Sequence, residues 1–593
     1  MGDTGLLASG RGAFYVEVVH CTMANVLFGM IHRLLYSLGG LSLLVMLMGP
    51  VAWAQADQVV HNATIYTMHP EQPEAEAMAV RGDRVLMVGS DEQVQQAYPE
   101  APSLDAEGHA IVPGFIDAHG HLTGLAETFL QADLVGTESV DAVIDRLESF
   151  AADLPEGAWL EGRGWDQNEW PGDGDFPTRQ DLDDAFPDRP VYLVRVDGHA
   201  AWVNTAALEA VGMQEITDRA DPEGGAILRD DADQPTGILI DTAMGLVSGE
   251  IPSATREQLD DALEEALEHT ARLGMTGVHD AGIGREAIER YERFIGKDRF
   301  PIRVHAMLDG RGEAFDYYCE NGLIYDLAGH LSVRSVKFYM DGALGSRGAA
   351  LLDDYSDDEG NQGLLMRSPE GLQEDVERAL QCGYQVNTHA IGDRANREVL
   401  NAYEAAQETY GTASGRHRIE HAQVLHPDDM TRFADLNVIA SMQPMHATSD
   451  MGWAEDRLGD ERAEGAYAWQ SLAERGVDLA FGSDFPVEPV DPLQGFHAAV
   501  TRQDADGMPE GGWMPDERMT REGALHGFTY GAAYAGFNDT DRGRLAPGYY
   551  ADFVMLSDDI MEIPANELLD AEVIATYVGG TRVYADEAAP EAP

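Results

Sequence analysis

Eight short apolar runs recur along the chain, with helical stretches between them. They are IVPGFIDAHGH (111–121), TGVHDA (276–281), IRVHAM (302–307), SVKFYMD (335–341), YQVNTHA (384–390), HRIEHA (417–422), VIASMQP (438–444) and DLAFGSD (478–484). Strands that alternate with helices in this number lead to an α/β fold, the (β/α)₈ TIM barrel. The intervening helices carry the matching period. In residues 254–273, Leu259, Ala262, Leu263, Ala266 and Leu267 share one face and Gly274 follows as a stop. The gap between the first and second runs is far longer than the others. Residues 130–250 are therefore expected to form an insertion with its own α/β structure.

The flanks read differently. Residues 57–112 hold short β-rich runs broken by turns, and the stretches RLAPGYYADFVMLS and VIATYVGGTRVYA repeat that style near the other end. The two segments, 57–112 and 541–584, are expected to pair into one small composite β-sandwich. The barrel would then occupy 113–540, and residues 585–593 read as a disordered tail. Near the start, LLYSLGGLSLLVMLM (34–48) follows His32 and Arg33 and precedes Ala-x-Ala sites at 52–56. This is the pattern of a cleaved signal peptide in residues 1–56, with Met23 and Met30 as alternative starts and 1–22 as a start-site extension. The expected location is periplasmic or secreted, the rival being an uncleaved anchor.

Charge excludes one class of partner. The 593 residues carry 104 Asp and Glu against 39 Lys and Arg, a net charge of −65. Such a chain repels nucleic-acid phosphates and anionic lipid. The acidic residues are spread along the whole length, which reads as a halophilic surface whose self-repulsion salt would screen. Only two of the basic residues are lysines, Lys297 and Lys337. Three cysteines exclude a disulfide-rich scaffold and a four-cysteine zinc site. Spacing leaves open whether Cys319 and Cys382 pair.

Ionisable residues gather at the C-terminal ends of the eight runs, where a barrel of this kind builds its site. The first ends in His119 and His121, the fourth carries Lys337, the fifth and sixth end in His389 and His421, and the eighth in Asp484. Residues two apart on a strand point the same way, so His119 and His121 can hold one ion. His389 and His421 can complete that site or serve a second. Imidazole suits zinc or a similar divalent metal, one or two ions. A desolvated Lys337 can lose its proton and react with CO₂ to give a carbamate, a carboxylate able to bridge two ions. Asp484 can bind metal and accept a proton from a water whose pKa the metal lowers toward about 7. No P-loop, dinucleotide fingerprint or GxSxG elbow competes with this reading.

The stretches VPGFIDAHGHL, GRGWDQNEWP, RVDGHAAWVNTAAL, GVHDAG, KFYMDGALGSRGA, NTHAIGDRANREVL, RIEHAQ, FGSDFPVEPVDP and GRLAPGYYADFVML resemble the amidohydrolase superfamily, in its family 3 branch of N-substituted formamide deformylase-like proteins. The resemblance runs from about residue 57 to 584 and implies a barrel with a composite sandwich and metal-dependent hydrolysis of an amide or related C–N bond. It implies His119, His121, Lys337, His389, His421 and Asp484 as ligands, with Lys337 bridging and Asp484 catalytic.

Further polar residues fall in the same motifs. His199 is a candidate to stabilise an oxyanion. Trp165, Asn168, Tyr339, Asp341, Asp393 and His446 are candidate substrate contacts or supports of the ligands, and Asp280 reads as structural. The same residues serve an ester, lactone or carbamate hydrolase or a deaminase equally well. A non-catalytic binding protein is a third reading, disfavoured by Asp484. The expected partner is a small-molecule substrate, with no nucleic acid and no stable membrane partner after leader cleavage. A homo-oligomer is left open.

Overall fold

Gly114 divides the first apolar run in two. Ala110–Pro113 pairs with the composite sandwich, and Phe115–Gly120 opens the barrel. A Cβ at Gly114 would lie 2.2 Å from Thr276 Cγ2, so only glycine lets the chain pass from one layer to the other here. The computed structural model describes residues 56–591 apart from 153, 156, 168–169, 172–174, 197, 199, 213–220, 223–224 and 412–414. The leader reading of residues 1–56 lies outside the described residues, Ala56 excepted. No helix among the described residues is long and apolar enough to cross a membrane.

The barrel strands are β1 (Phe115–Gly120), β2 (Met275–Ile283), β3 (Arg303–Asp309), β4 (Leu331–Tyr339), β5 (Gln385–Ala390), β6 (Arg418–His421), β7 (Ile439–Met442) and β8 (Leu479–Phe481). They run parallel in chain order, β1 beside β2 and so on to β8. All eight correspond to the apolar runs read from the sequence. The seam between β8 and β1 closes through the residues just beyond β8. Asp484 N–H donates to His119 O at 2.7 Å and His121 N–H to Phe485 O at 2.8 Å. The Asp117 carboxylate adds two bonds across the same seam, from Ser483 N–H (3.0 Å) and Ser483 Oγ (2.7 Å), and accepts His119 N–H (2.8 Å) within β1. Gly482 is required there, since a Cβ would sit 2.4 Å from Asp117 Oδ1.

Helices cover the outside of the barrel. The one expected over 254–273 spans Arg256–Arg272, with Thr255 and Gln258 capping each other's backbone at its start. Ala262, Leu263, Ala266 and Leu267 are buried as expected and Leu259 is half-buried, while Thr270 and Ala271 extend the buried face. Each fully buried aliphatic side chain of this kind contributes about 1.5–3 kcal/mol.

Between β1 and β2 a six-stranded sheet runs from Ala132 to Asp241, in the order 225–229, 235–241, 200–203, 191–195, 160–165 and 132–133. It has its own core of Leu134, Leu147, Leu160, Trp165, Leu193 and Trp202. The sandwich has one sheet from residues 58–105. The other sheet mixes both ends of the chain, with Phe553–Leu556 antiparallel to Ala110–Pro113. Ile65, Met78, Ile111, Phe553, Ile574 and Tyr577 fill the space between the sheets. A buried two-pronged ion pair ties the sandwich to the base of the barrel: Arg303 Nε and Nη2 meet Asp552 Oδ2 and Oδ1 at 2.7 and 2.8 Å. Cys319 and Cys382 form a disulfide, Cα to Cα 5.0 Å.

The end of the sandwich corrects one expectation. Ala585 is the last residue of strand Thr581–Ala585, Asp586 N–H bonds Ile574 O, and Pro590 O accepts from Arg582 Nη1 at 3.0 Å. Ala589 packs on the sandwich core. The stretch to 591 is folded rather than disordered because the composite sheet offers it both an apolar face and hydrogen-bond partners.

Candidate metal centre

Three imidazoles at the strand ends are held by their Nδ1 atoms. His119 Nδ1 is 2.5 Å from Glu420 Oε2, His121 Nδ1 is 3.0 Å from Ala281 O, and His421 Nδ1 is 2.8 Å from Gln443 Oε1. Each of these oxygens only accepts, so each Nδ1 carries the proton. A neutral ring then presents the lone pair of Nε2. Burial, aided by the charge of Lys337, lowers His119 to about 4, and burial beside His389 holds His421 well below the ordinary imidazole value. Burial also opposes charge on His121, but its bond to Asp484 outweighs this and raises it.

The Nε2 atoms of these rings gather around Asp484. His121 Nε2 is 3.0 Å and His119 Nε2 3.6 Å from Asp484 Oδ1. His446 Nε2 lies 3.8 Å from Oδ2. Burial resists ionisation of Asp484, yet His121, His119 and His421 overcome it and keep the carboxylate well below its ordinary value. Two three-residue groups result, His119–His121–Asp484 and His421–His446–Asp484, each with ligand atoms within 4.8 Å of one another. Lys337 Nζ sits 2.9 Å from His119 Nε2, and burial lowers its amine to about 8.

The donor set fits a divalent ion of the zinc type: neutral imidazole nitrogens, an ionised carboxylate and buried atoms lacking other partners. His389 Nε2 and His446 Nε2 are both buried with no hydrogen-bond partner among the described residues. Such orphaned lone pairs are costly unless something binds them.

The other candidates divide. Tyr339 stands at the mouth, 41% exposed, its ring 5.6 Å from that of His389 and 5.0 Å from Lys337 Nζ. His389 joins neither three-residue group; its ring lies 4.5 Å from that of His421 and its Nε2 3.6 Å from Asp341. Asp341 accepts the backbone N–H groups of Ala350, Ile391 and Gly392, and Asp393 that of Leu352, so both anchor loops rather than face a substrate. Asp280 is structural as read, accepting Leu122 N–H and Tyr291 Oη–H. Trp165 is no substrate contact. It is fully buried, its indole donates to Leu193 O at 3.0 Å, and its large apolar area anchors the insertion core. Asn168 and His199 lie outside the described residues.

Sequence reasoning missed Glu420, Arg418 and Gln443. Arg418 and Glu420 are both fully buried and paired, Nε to Oε1 2.7 Å and Nη2 to Oε2 3.0 Å. Arg418 also donates to Ala118 O and Ser441 Oγ, and its Nη1 is 2.8 Å from His279 Nδ1. Burial would raise Glu420, but Arg418 and His119 bring it down to about 2. Strand alternation sets Glu420 and His421 on opposite faces, which hides one of them. The structure brings both inward because His421 has φ +73°. An Arg-x-Glu pair in an otherwise apolar barrel strand was the available signal.

A family model described as the amidohydrolase family matches residues 103–584. The chain belongs to the amidohydrolase family. "Putative amidohydrolase YtcJ" of Bacillus subtilis is 35% identical over 533 residues, spanning 88% of this chain and 98% of its own. The N-substituted formamide deformylase of Arthrobacter pascens is 28% identical, over 89% of this chain and 98% of its own. A solved structure of an uncharacterized metal-dependent hydrolase from Pyrococcus furiosus superposes with a TM-score of 0.70 at 30% identity, covering 85% of this chain and all of that one. This amidohydrolase is a metal-dependent hydrolase, and the cluster around Asp484 offers histidine and aspartate groups that could hold a metal ion.

Proposed function

We propose that this amidohydrolase cleaves a C–N amide-type bond, with an N-substituted formamide or a similar small amide as substrate class. The observation that carries the reading is the convergence of His119 Nε2 and His121 Nε2 on Asp484 Oδ1, each ring pinned behind by its Nδ1. A divalent ion held there supplies Lewis acidity, acidifying a water and polarising the carbonyl. Asp484, kept ionised by its imidazole neighbours, accepts the water's proton and passes it to the leaving nitrogen, so that amide and water give a carboxylic acid and an amine. Tyr339 flanks the entry beside Lys337 and His389. His199 is our candidate for the oxyanion.

Zinc is the proposed metal, and Lys337 the proposed carbamate. Its burial favours the neutral amine, which adds CO₂ and releases one proton. The likeness to the formamide deformylase supports the C–N bond. The apolar run at 34–48 and the Cys319–Cys382 disulfide support export to an oxidising compartment.

The test is turnover on a panel of N-substituted formamides, simple amides, esters and lactones, with Asp484→Asn as control. Release of formate and amine from the first group, lost by about 10²–10⁴-fold in the variant, is the expected result. Turnover confined to esters or lactones would overturn the C–N assignment.

A further inference from the structure

We propose that the base of the barrel binds a small monovalent anion of the halide kind, with Arg542 Nε–H and His279 Nε2–H as its donors.

The site is a cavity with room for about one water-sized occupant, at the N-terminal ends of β1, β2 and β3. His279, Arg303, His305, Asn538, Arg542 and Asp552 supply its polar lining. It is separate from the metal centre, because Arg418 and Glu420 stand between His279 and His119.

Two guanidiniums meet there over one carboxylate. Arg303 Nη1 and Arg542 Nη2 both donate to Gly329 O, at 2.6 and 3.0 Å, which holds two like charges side by side. Asp552 is committed to the first of them: its oxygens receive Arg303 Nε and Nη2, and Oδ1 also takes Gly579 N–H at 2.7 Å. Arg542 is left with Asp541, whose Oδ1 is 4.0 Å from Nε, beyond hydrogen-bond reach. The other oxygen of Asp541 serves Arg84 at 3.2 Å. Arg542 Nε is buried with no hydrogen-bond partner among the described residues. A guanidinium keeps its proton in a protein, so the charge stays. The two histidines add no charge, because burial above all keeps both neutral. One positive charge at the cavity is therefore in excess.

His279 supplies the second donor. Arg418 Nη1 lies 2.8 Å from His279 Nδ1 and can only donate, so Nδ1 accepts and the ring proton stands on Nε2. The side chain is 2% exposed, and Nε2 faces Gly536, where a Cβ would come within 2.8 Å of it. A water could accept from both donors, but it would have to place two protons of its own and would leave Arg542 uncompensated. A halide accepts from both and neutralises the charge. Sulfate and phosphate are too large for the space.

The experiment uses full-length protein in two measurements. Crystals grown in molar sodium bromide should show an anomalous bromide peak within hydrogen-bond reach of Arg542 Nε and His279 Nε2. Melting is followed while chloride replaces gluconate at constant ionic strength, and its midpoint should rise and then level off as the site fills. Asn538→Asp sets a carboxylate against the cavity. It should abolish the peak and the chloride response while melting in gluconate at or above wild type. Arg542→Met should lose the peak as well, with circular dichroism to confirm folding. Water in place of bromide in the wild-type cavity would overturn the proposal. Bromide there without a saturable chloride response would mark an adventitious ion only, and would overturn it too. So would a peak retained in both folded variants.

Discussion

His119 and Glu420 meet through a 2.5 Å contact between Nδ1 and Oε2, both side chains wholly buried, and Arg418 braces the carboxylate from the far side. The carboxylate does two things. It fixes the tautomer that offers Nε2 to the centre, and it neutralises a guanidinium with no route to water.

Glu420→Gln should therefore act on stability and on metal affinity together. An unpaired buried Arg418 is expected to cost about 3–5 kcal/mol, read by urea denaturation. Zinc affinity of the folded fraction should fall by about 10–100-fold. Unchanged zinc affinity would show that Glu420 serves the barrel alone.

The Arg303–Asp552 pair sets an acid limit for the junction between barrel and sandwich. Burial would raise Asp552, but Arg303 outweighs it and holds it below the ordinary 3.8. A depressed carboxylate contributes stability that is fully present above the unfolded value and is lost as pH falls through the folded one. The stability advantage of wild type over Asp552→Asn should then be constant at neutral pH and shrink only below about 3.8. Urea midpoints at stepped pH check this. An advantage unchanged down to acid unfolding would exclude the ionised pair as its source.

The disulfide spans 63 residues, which corresponds to about 4 kcal/mol of loop-closure entropy removed from the unfolded chain. Cys319→Ser with Cys382→Ser, or reduction, should lower the urea midpoint accordingly. Activity of the folded fraction should not change, because the disulfide joins helix Glu313–Asn321 to the end of helix Pro369–Gln381 and neither cysteine belongs to the groups around Asp484. Free-thiol titration of the native protein should find neither Cys319 nor Cys382 reactive.

Net charge of −65 predicts that salt stabilises the fold. The screening length falls from about 10 Å at 0.1 M to about 3 Å at 1 M, which removes most of the long-range repulsion between exposed carboxylates. Calorimetric melting should move upward steadily over that range. A flat response would mean that the acidic residues are already neutralised locally by pairs such as Arg285–Glu289 and Arg293–Asp260.

The residues read best in the sequence were those whose position follows from strand geometry alone. Eight runs with chemistry at their C-terminal ends placed His119, His121, Lys337 and Asp484 around one point, because a parallel barrel leaves those ends nowhere else to go. What escaped was set by departures from that geometry. The left-handed backbone at His421 brings two consecutive residues inward, which alternation forbids. His446 reaches the centre from a helix whose start depends on Pro444. Trp165 was misread because a tryptophan among polar residues looks like a contact surface, while in three dimensions it meets Trp170, Trp202 and Phe176. The break at Gly114 was invisible because apolar residues continue on both sides of it.

The barrel seam has a consequence in time. The segments that close it, from Asp117 to His121 and from Ser483 to Phe485, are the segments that supply the first group of ligands. During synthesis His119 and His121 emerge long before Asp484. A ribosome-bound chain that has not released β8 holds half a centre and an open edge. Maturation of the catalyst therefore coincides with the last strand's arrival, and fragments truncated before it should be inert however well their helices form.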